Sequence, residues 1–289
     1  MRLCRFAEDR VGLVSGDQVF DATSALAGQS FRYPLPHFEP LIAHLAELRS
    51  EIERAAQMAK PLPIASVSFF SPVANPGKIV GAPVNYQKHL EEARADSAIH
   101  HQKQIEEIQR VGLFLKATSS LVGPSQGVAI RHPDRRTDHE IELAAVIGRR
   151  ADRVPAEGAL DYVTGYCIGL DITVRGPEER SLRKSIDSYT VLGPWLVTSD
   201  ELTDPSCLDL VLKVNGEIRQ QANTRDLIIG VAELIAFASS FYTLLPGDVL
   251  LTGTPAGVGP IQAGDVMSAA IAQIGQMEVR VRAVDPPDI

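Results

Sequence analysis

Glu140 and Glu142 stand two residues apart at the head of an apolar run, His139–Gly148, which reads HEIELAAVIG. The β-branched and apolar content, closed by Gly148, indicates a strand. Side chains on a strand alternate between faces. Glu140 and Glu142 therefore share a face with Ala144 and Val146, while Ile141, Leu143, Ala145 and Ile147 occupy the other. Two carboxylates in such surroundings repel each other, and burial adds to the cost. A proton, an Arg or Lys, or a metal ion has to compensate. Asp171 supplies a third carboxylate within the next apolar run, YCIGLDITV (Tyr166–Val174). Convergence of the three from neighbouring strands makes a hard, all-oxygen site for Mg²⁺, Mn²⁺ or Ca²⁺, with positions left open for water or substrate. The same spacing fits an exposed sheet edge with solvated glutamates, and spacing by itself does not separate the two.

Other residues have types suited to chemistry. In NYQKHLEEARAD, His89 and Glu92 lie three apart, so on a helix the carboxylate meets the imidazole. A histidine oriented in this way is a general base for water; a solvated helix face carries the same pattern. Lys116 ends the strand-like LFLK, Arg175 ends DITVR, and Lys184 lies in RKSIDSY. Near a metal, such cations bind a carboxylate substrate or stabilise an enolate. The loop LTGTPAGVG (Leu251–Gly259), which contains Thr254, is neither a P-loop nor GxGxxG. It reads as a turn with backbone N–H groups and a Thr hydroxyl available to an anion. HExxH, paired CxxC, GxSxG and EF-hand patterns are absent. His139 points away from Glu140 and reads as structural.

Residues 1–70 are expected to form a small α+β unit, with strands at Arg2–Phe6 and Val11–Ser15 and an amphipathic helix over Pro40–Lys60. The Pro/Asn/Gly-rich stretch SPVANPGK (Ser71–Lys78) marks the boundary, and residues 71–289 form the catalytic unit. There, strand runs dominate and βαβ alternation is weak, which predicts a β-rich α+β fold rather than a doubly wound sheet. A polar helix is expected from Tyr86 to about Gln109, a hairpin over Leu208–Gln220 with Asn215-Gly216 as its turn, a helix over Ile229–Tyr242, and strands near residues 248–255, 265–272 and 277–283. The net charge of −8 over 289 residues and the lack of a basic run speak against a nucleic-acid partner. No apolar run is long enough for a membrane span or a signal peptide. The three cysteines, Cys4, Cys167 and Cys207, are widely spaced and form no metal or disulfide pattern. A reducing cytoplasm is the expected location.

The order of these segments resembles the fumarylacetoacetate hydrolase family, in its acylpyruvase-like bacterial form. The resemblance runs from about Pro72 to Ala283. It is carried by PVANPGKIVGAPVNYQKHLEE, LFLKATSSLVGP, DHEIELAAVIGRRA, YVTGYCIGLDITVR, KSIDSYTVLGPWLVT, VNGEIRQQANTRDLI and LPGDVLLTGTPAGVG. It implies rolled mixed β-sheets, a small N-terminal accessory domain and a homodimer. It implies a divalent metal, Mg²⁺ or Mn²⁺ with Ca²⁺ as a substitute in crystals, held by Glu140, Glu142 and Asp171. His89 and Glu92 are then the water-activating pair on a lid segment. Lys184 stabilises enolate charge, and Lys116, Arg175 and Thr254 line the substrate pocket. The implied reaction is hydrolysis of a C–C bond in a 2,4-diketo acid to pyruvate and a carboxylic acid. Isomerisation or decarboxylation of a 2-oxo-dienoate or oxaloacetate is the alternative. The chain departs from the family pattern in a longer segment after His89, including HHQKQIEEIQR (His100–Arg110), in FLKA for the usual FLKP, and in RGPEE (Arg175–Glu179). There, Glu178 is expected to repel a second carboxylate and so to disfavour oxaloacetate.

Overall fold

The strand Ile141–Ile147 is buried along its whole length. Ile141, Leu143, Ala145 and Ile147 enter one hydrophobic core, and Ala144 and Val146 enter a second on the opposite face. A strand covered on both faces loses the polar alternation of a half-exposed one, which explains the apolar run after Glu142. The computed structural model describes residues 1–7, 10–27, 37–96, 99 and 108–284.

The buried strand is central to a twelve-stranded mixed sheet. On one side it pairs antiparallel with Val163–Asp171. That strand pairs with Thr190–Thr198, which in turn pairs with Arg2–Phe6, so the N-terminal strands extend the same sheet. On its other side lies Val249–Leu251, then Ile79–Gly81 in parallel, then Phe114–Lys116. A five-stranded sheet contains the hairpin Asp209–Val214/Glu217–Asn223 together with Val266–Ile271, Gly275–Ala283 and Val128–Ile130. The hairpin turn has φ 52° at Asn215 and 85° at Gly216, the two left-handed positions that a tight two-residue turn requires. The fold is thus α+β and strand-rich, as expected from the sequence. Helix Leu45–Met58 buries Leu45 and Ile52 against the second core, and helix Val231–Phe241 buries Leu234 and Ile235 against the first.

One strand is absent from the sequence reading, and one helix differs from it. Thr190–Thr198 is a fully buried sheet strand, although Gly193 and Pro194 argue against one. The sheet accommodates them where its register with Val163–Asp171 shifts, between Tyr166 and Ile168. The polar segment after Tyr86 is helical over Gln87–Ala95 and again over Ile108–Val111; the paired His100 and His101 lie outside the described residues.

A third, three-stranded sheet consists of Thr173–Val174, Thr137–His139 and Gly259–Pro260. Each of its strands continues a strand of the large sheet, so three chain segments pass from one sheet to the other at the same level. Between two of them the register is the same on both sides of the passage, as Asp138 faces Thr173 and Ile141 faces Leu170. At the passage the Asp171 N–H still donates to the Glu140 carbonyl at 2.9 Å, while the Ile172 N–H turns away to the Tyr189 carbonyl at 3.0 Å. The third segment behaves differently. Ala144 and His139 are five residues apart, whereas their partners Leu251 and Gly259 are eight apart. Three extra residues therefore arch over the passage.

Candidate active site

Glu140 and Asp171 stand at this passage and Glu142 one step beyond it. All three are buried, and one oxygen of each lies within 4.8 Å of the others. At an effective dielectric of about 20, unit charges about 4 Å apart interact by about 4 kcal/mol, so a bare triad needs cations. Two lysines bracket Asp171. Lys184 Nζ donates to its Oδ2 at 2.6 Å, and Lys116 Nζ donates to Oδ1. Lys184 also reaches Glu140 at 2.8 Å and Thr173 Oγ1 at 2.7 Å, which uses its three N–H groups. Arg175 Nη2 donates to the other Glu140 oxygen at 2.9 Å, and its Nε donates to buried Asp138 at 2.8 Å.

The two glutamates respond oppositely. Burial acts to raise the Glu140 pKa, but Lys184 and Arg175 outweigh it and hold the carboxyl well below its ordinary value. In Glu142, burial and then the charge of Asp171 raise the pKa well above the ordinary value. Its Oε2 accepts from the Gly253 N–H at 2.6 Å, and no described lysine or arginine pairs with it. Glu142 is the carboxyl most in need of a further cation. Three buried carboxyls, all oxygen donors, one of them without a cationic partner, fit a hard divalent ion.

The arch over the passage requires glycine. Gly253 has φ +100° and Gly257 φ +96°. A Cβ would come 2.6 Å from Asn85 Cβ in the first case and 2.1 Å from the Arg219 carbonyl oxygen in the second. The arch carries Thr254 to the cavity. Behind it, fully buried Gln220 accepts from the Ile141 N–H at 3.1 Å and from His139 Nδ1 at 3.0 Å, and donates to Thr254 Oγ1 at 2.7 Å and to the Pro255 carbonyl at 2.8 Å. The Ile141 donor and the Pro255 acceptor fix the orientation of the amide. The Thr254 oxygen is therefore an acceptor toward Gln220, and its own hydrogen is free for a ligand. His139 is neutral with Nδ1 protonated, and burial lowers its pKa. It serves the structure.

Helix Gln87–Ala95 supplies the facing side. His89 Nδ1 meets Glu92 Oε2 at 2.8 Å, and Glu92 Oε1 accepts from the Gly257 N–H at 2.9 Å. An ionised carboxylate only accepts, so Nδ1 carries the proton and Nε2 is the basic nitrogen. His89, Glu140, Glu142, Asp171, Arg175, Lys184 and Thr254 all line one cavity. Lys116 does not. Its ammonium is enclosed behind Asp171, where it also donates to the Tyr189 carbonyl at 2.7 Å, and burial lowers its pKa. Glu178 also lies outside the lining. Both its oxygens engage Arg135, at 3.1 and 2.7 Å, so it is not the free anion expected to repel a second carboxylate. Asp138, Gln220, Arg180 and Arg183 belong to the site or its support and carry no motif or periodicity. Gln220 stands among other polar residues in EIRQQAN, so nothing in the sequence singles it out.

Residues 78–282 match the profile of the fumarylacetoacetate (FAA) hydrolase C-terminal domain. The chain belongs to the fumarylacetoacetate hydrolase family. Within this family, it is 58% identical over 287 residues to a maleylpyruvate hydrolase of Aquipseudomonas alcaligenes, covering 98% of this chain and all of that protein. A crystal structure of maleylpyruvate hydrolase from Sphingobium sp. SYK-6, with manganese(II) and pyruvate bound, superposes with a TM-score of 0.84 at 40% identity, covering 99% of this chain and all of that one. A 5-carboxymethyl-2-hydroxymuconate delta-isomerase from Mycobacterium smegmatis superposes with a TM-score of 0.71 at 29% identity, over 99% of this chain and all of that one. The protein is an enzyme, a hydrolase of this family acting on a keto acid. No helix among the described residues is long and apolar enough to cross a membrane.

Proposed function

We propose that the site hydrolyses maleylpyruvate or a closely similar acylpyruvate to pyruvate and a carboxylic acid. The observation that carries this reading is the His89–Glu92 pair facing the triad Glu140, Glu142 and Asp171 across a single cavity. The triad would hold Mn²⁺ or Mg²⁺, and the bound ion would supply Lewis acidity to a chelating 2-keto acid. Glu92 orients His89, whose Nε2 removes a proton from the water that attacks the acyl carbonyl. As the C–C bond breaks, its electron pair passes to the pyruvate fragment, which leaves as the enolate and is protonated at carbon. The positive charges of Lys184 and Arg175 lie beside that fragment and favour the developing anion. The Thr254 hydroxyl, oriented by Gln220, donates to a substrate oxygen. Lys116 acts behind Asp171 as a positioning residue rather than as a substrate contact.

The same proposal covers a homodimer, a catalytic unit over residues 71–289 with residues 1–70 as an accessory domain, and a cytoplasmic location. Free Cys4, Cys167 and Cys207 are compatible with a reducing compartment. Light scattering in solution measures the oligomeric state. The decisive assay offers the Mn²⁺-loaded protein acylpyruvates, oxaloacetate and hydroxymuconate-type dienoates and follows pyruvate release. Pyruvate from acylpyruvates is the expected result. Isomerisation of dienoates with no pyruvate from any acylpyruvate would overturn the proposal.

A further inference from the structure

Nearly every cation at the cavity has a partner. Arg175 pairs with Asp138 and Glu140, and Lys184 with Glu140 and Asp171. Arg183 donates to the Glu178 carbonyl at 3.0 Å and the Val174 carbonyl at 3.3 Å. Arg180 also lines the cavity, half-buried, and its guanidinium makes no hydrogen bond or ion pair with any described residue. Its guanidinium carbon stands 5.8 Å from the centroid of the Phe114 ring, and Lys184 Nζ stands 5.1 Å from the same centroid. The ring reaches this place because Gly81 has no side chain: a Cβ there would lie 2.2 Å from it. Burial lowers the Arg180 pKa, with only the more distant charges of Glu179, Glu140 and Asp171 opposing it. A partly desolvated cation with no ion-pair partner among the described residues is the condition under which a ligand anion binds well.

We propose that Arg180 is the receptor for a second carboxylate at the far end of the acyl chain, so that the preferred substrates are dicarboxylic acylpyruvates rather than those with an uncharged acyl group. The assignment rests on the acylpyruvate reading of the site. Arg180 and Lys184 are the two ends of one helix, Arg180–Lys184, one turn apart on the same side. Lys184 pairs with Glu140 and Asp171 of the triad, where the keto-acid end would bind. A substrate laid along the Phe114 ring from Lys184 reaches Arg180 within a few carbon atoms. The apolar part of the cavity lining includes Phe114, Ala93, Ile99 and Val111. It suits a short hydrocarbon linker and strengthens a paired charge at its end. The planar fork of arginine adds geometric selection for a carboxylate that lysine lacks.

The test uses the full chain loaded with Mn²⁺ and the variants Arg180→Leu and Arg180→Lys, with the thermal midpoint of each recorded as a check of folding. Wild type is expected to prefer maleylpyruvate over acetylpyruvate. In Arg180→Leu, kcat/KM for maleylpyruvate falls on the order of 10²-fold, mostly through KM, as expected for loss of one partner of a desolvated charge pair. Acetylpyruvate turnover stays nearly constant, and Arg180→Lys falls between the two. A second measurement needs no turnover: maleate should raise the thermal midpoint of wild type and not that of Arg180→Leu, while acetate affects neither. Equal losses on both substrates, or a maleate shift that survives in Arg180→Leu, would overturn the assignment. If wild type cleaves neither substrate, the hydrolase reading fails, and the maleate shift still decides the role of Arg180.

Discussion

The cavity has two unlike sides. On the sheet side, Glu140, Glu142 and Asp171 are held by strands buried on both faces, and backbone hydrogen bonds fix where the three carboxyls stand. On the helix side, His89 and Glu92 belong to a nine-residue helix joined to the arch by one hydrogen bond from the Gly257 N–H to Glu92. The sheet side is dense in opposite charges; the helix side holds one imidazole and the carboxylate that orients it. In the proposed reaction this difference is a division of labour: the sheet side would bind and polarise, and the helix side would move the proton.

Substitutions on the two sides should separate those tasks. Asp171→Asn on the sheet side should lower turnover by more than the roughly 10²- to 10⁴-fold that a single general base contributes. It should also abolish the rise in thermal midpoint on Mn²⁺ addition that linkage predicts. His89→Ala on the helix side should lower kcat by about 10²- to 10⁴-fold while the Mn²⁺-dependent shift, read by scanning fluorimetry, remains. Loss of that shift would mean that the two sides are not independent.

The next effect lies behind the sheet side. Lys116→Met leaves buried Asp171 with one lysine instead of two. Urea unfolding should register a loss of about 3 kcal/mol without metal, the scale of a broken buried ion pair. The deficit should shrink when Mn²⁺ is added, because the ion then compensates Asp171. The smallest effect concerns the arch that joins the two sides. Thr254→Val removes one neutral hydrogen bond to substrate, worth about 1 kcal/mol, and should raise the KM for an acylpyruvate several-fold with kcat little altered. Gln220→Met should raise it by less, since Thr254 then keeps its hydroxyl but loses the acceptor role that aims it.

The residues readable in advance are those whose chemistry conflicts with their surroundings. Glu140 and Glu142 stood out because carboxylates do not belong at the head of a run such as IELAAVIG, and the two cores on either side of that run account for its pattern. The Asn215-Gly216 turn was readable because its backbone geometry admits few residues. The strand Thr190–Thr198 was not, since Gly193 and Pro194 mask it locally and only a register shift in its neighbour accommodates them. Arg180 and Gln220 were hidden for a different reason. Each sits among polar residues, in GPEERSLRK and EIRQQAN, where one more polar side chain carries no signal. Their roles arise from what the fold brings opposite them: a bare aromatic ring for Arg180, a threonine hydroxyl for Gln220. The inference from Glu178 failed similarly, because its partner Arg135 is 43 residues away in sequence.

The arch between Leu251 and Gly259 has its two ends fixed by ladder pairs, Leu251 with Ala144 and Gly259 with His139. Its excess of residues is accommodated outside both ladders. An insertion or deletion within it would alter its depth and leave the pairings on either side in place. Loop length between Thr254 and Val258 is therefore separable from the strand register, while the arch itself touches both sides of the cavity, through Gly253 to Glu142 and through Gly257 to Glu92. A library randomised in length between Thr254 and Val258 would vary the helix side of the cavity, through the Gly257 bond to Glu92, and leave the ladder pairs in place.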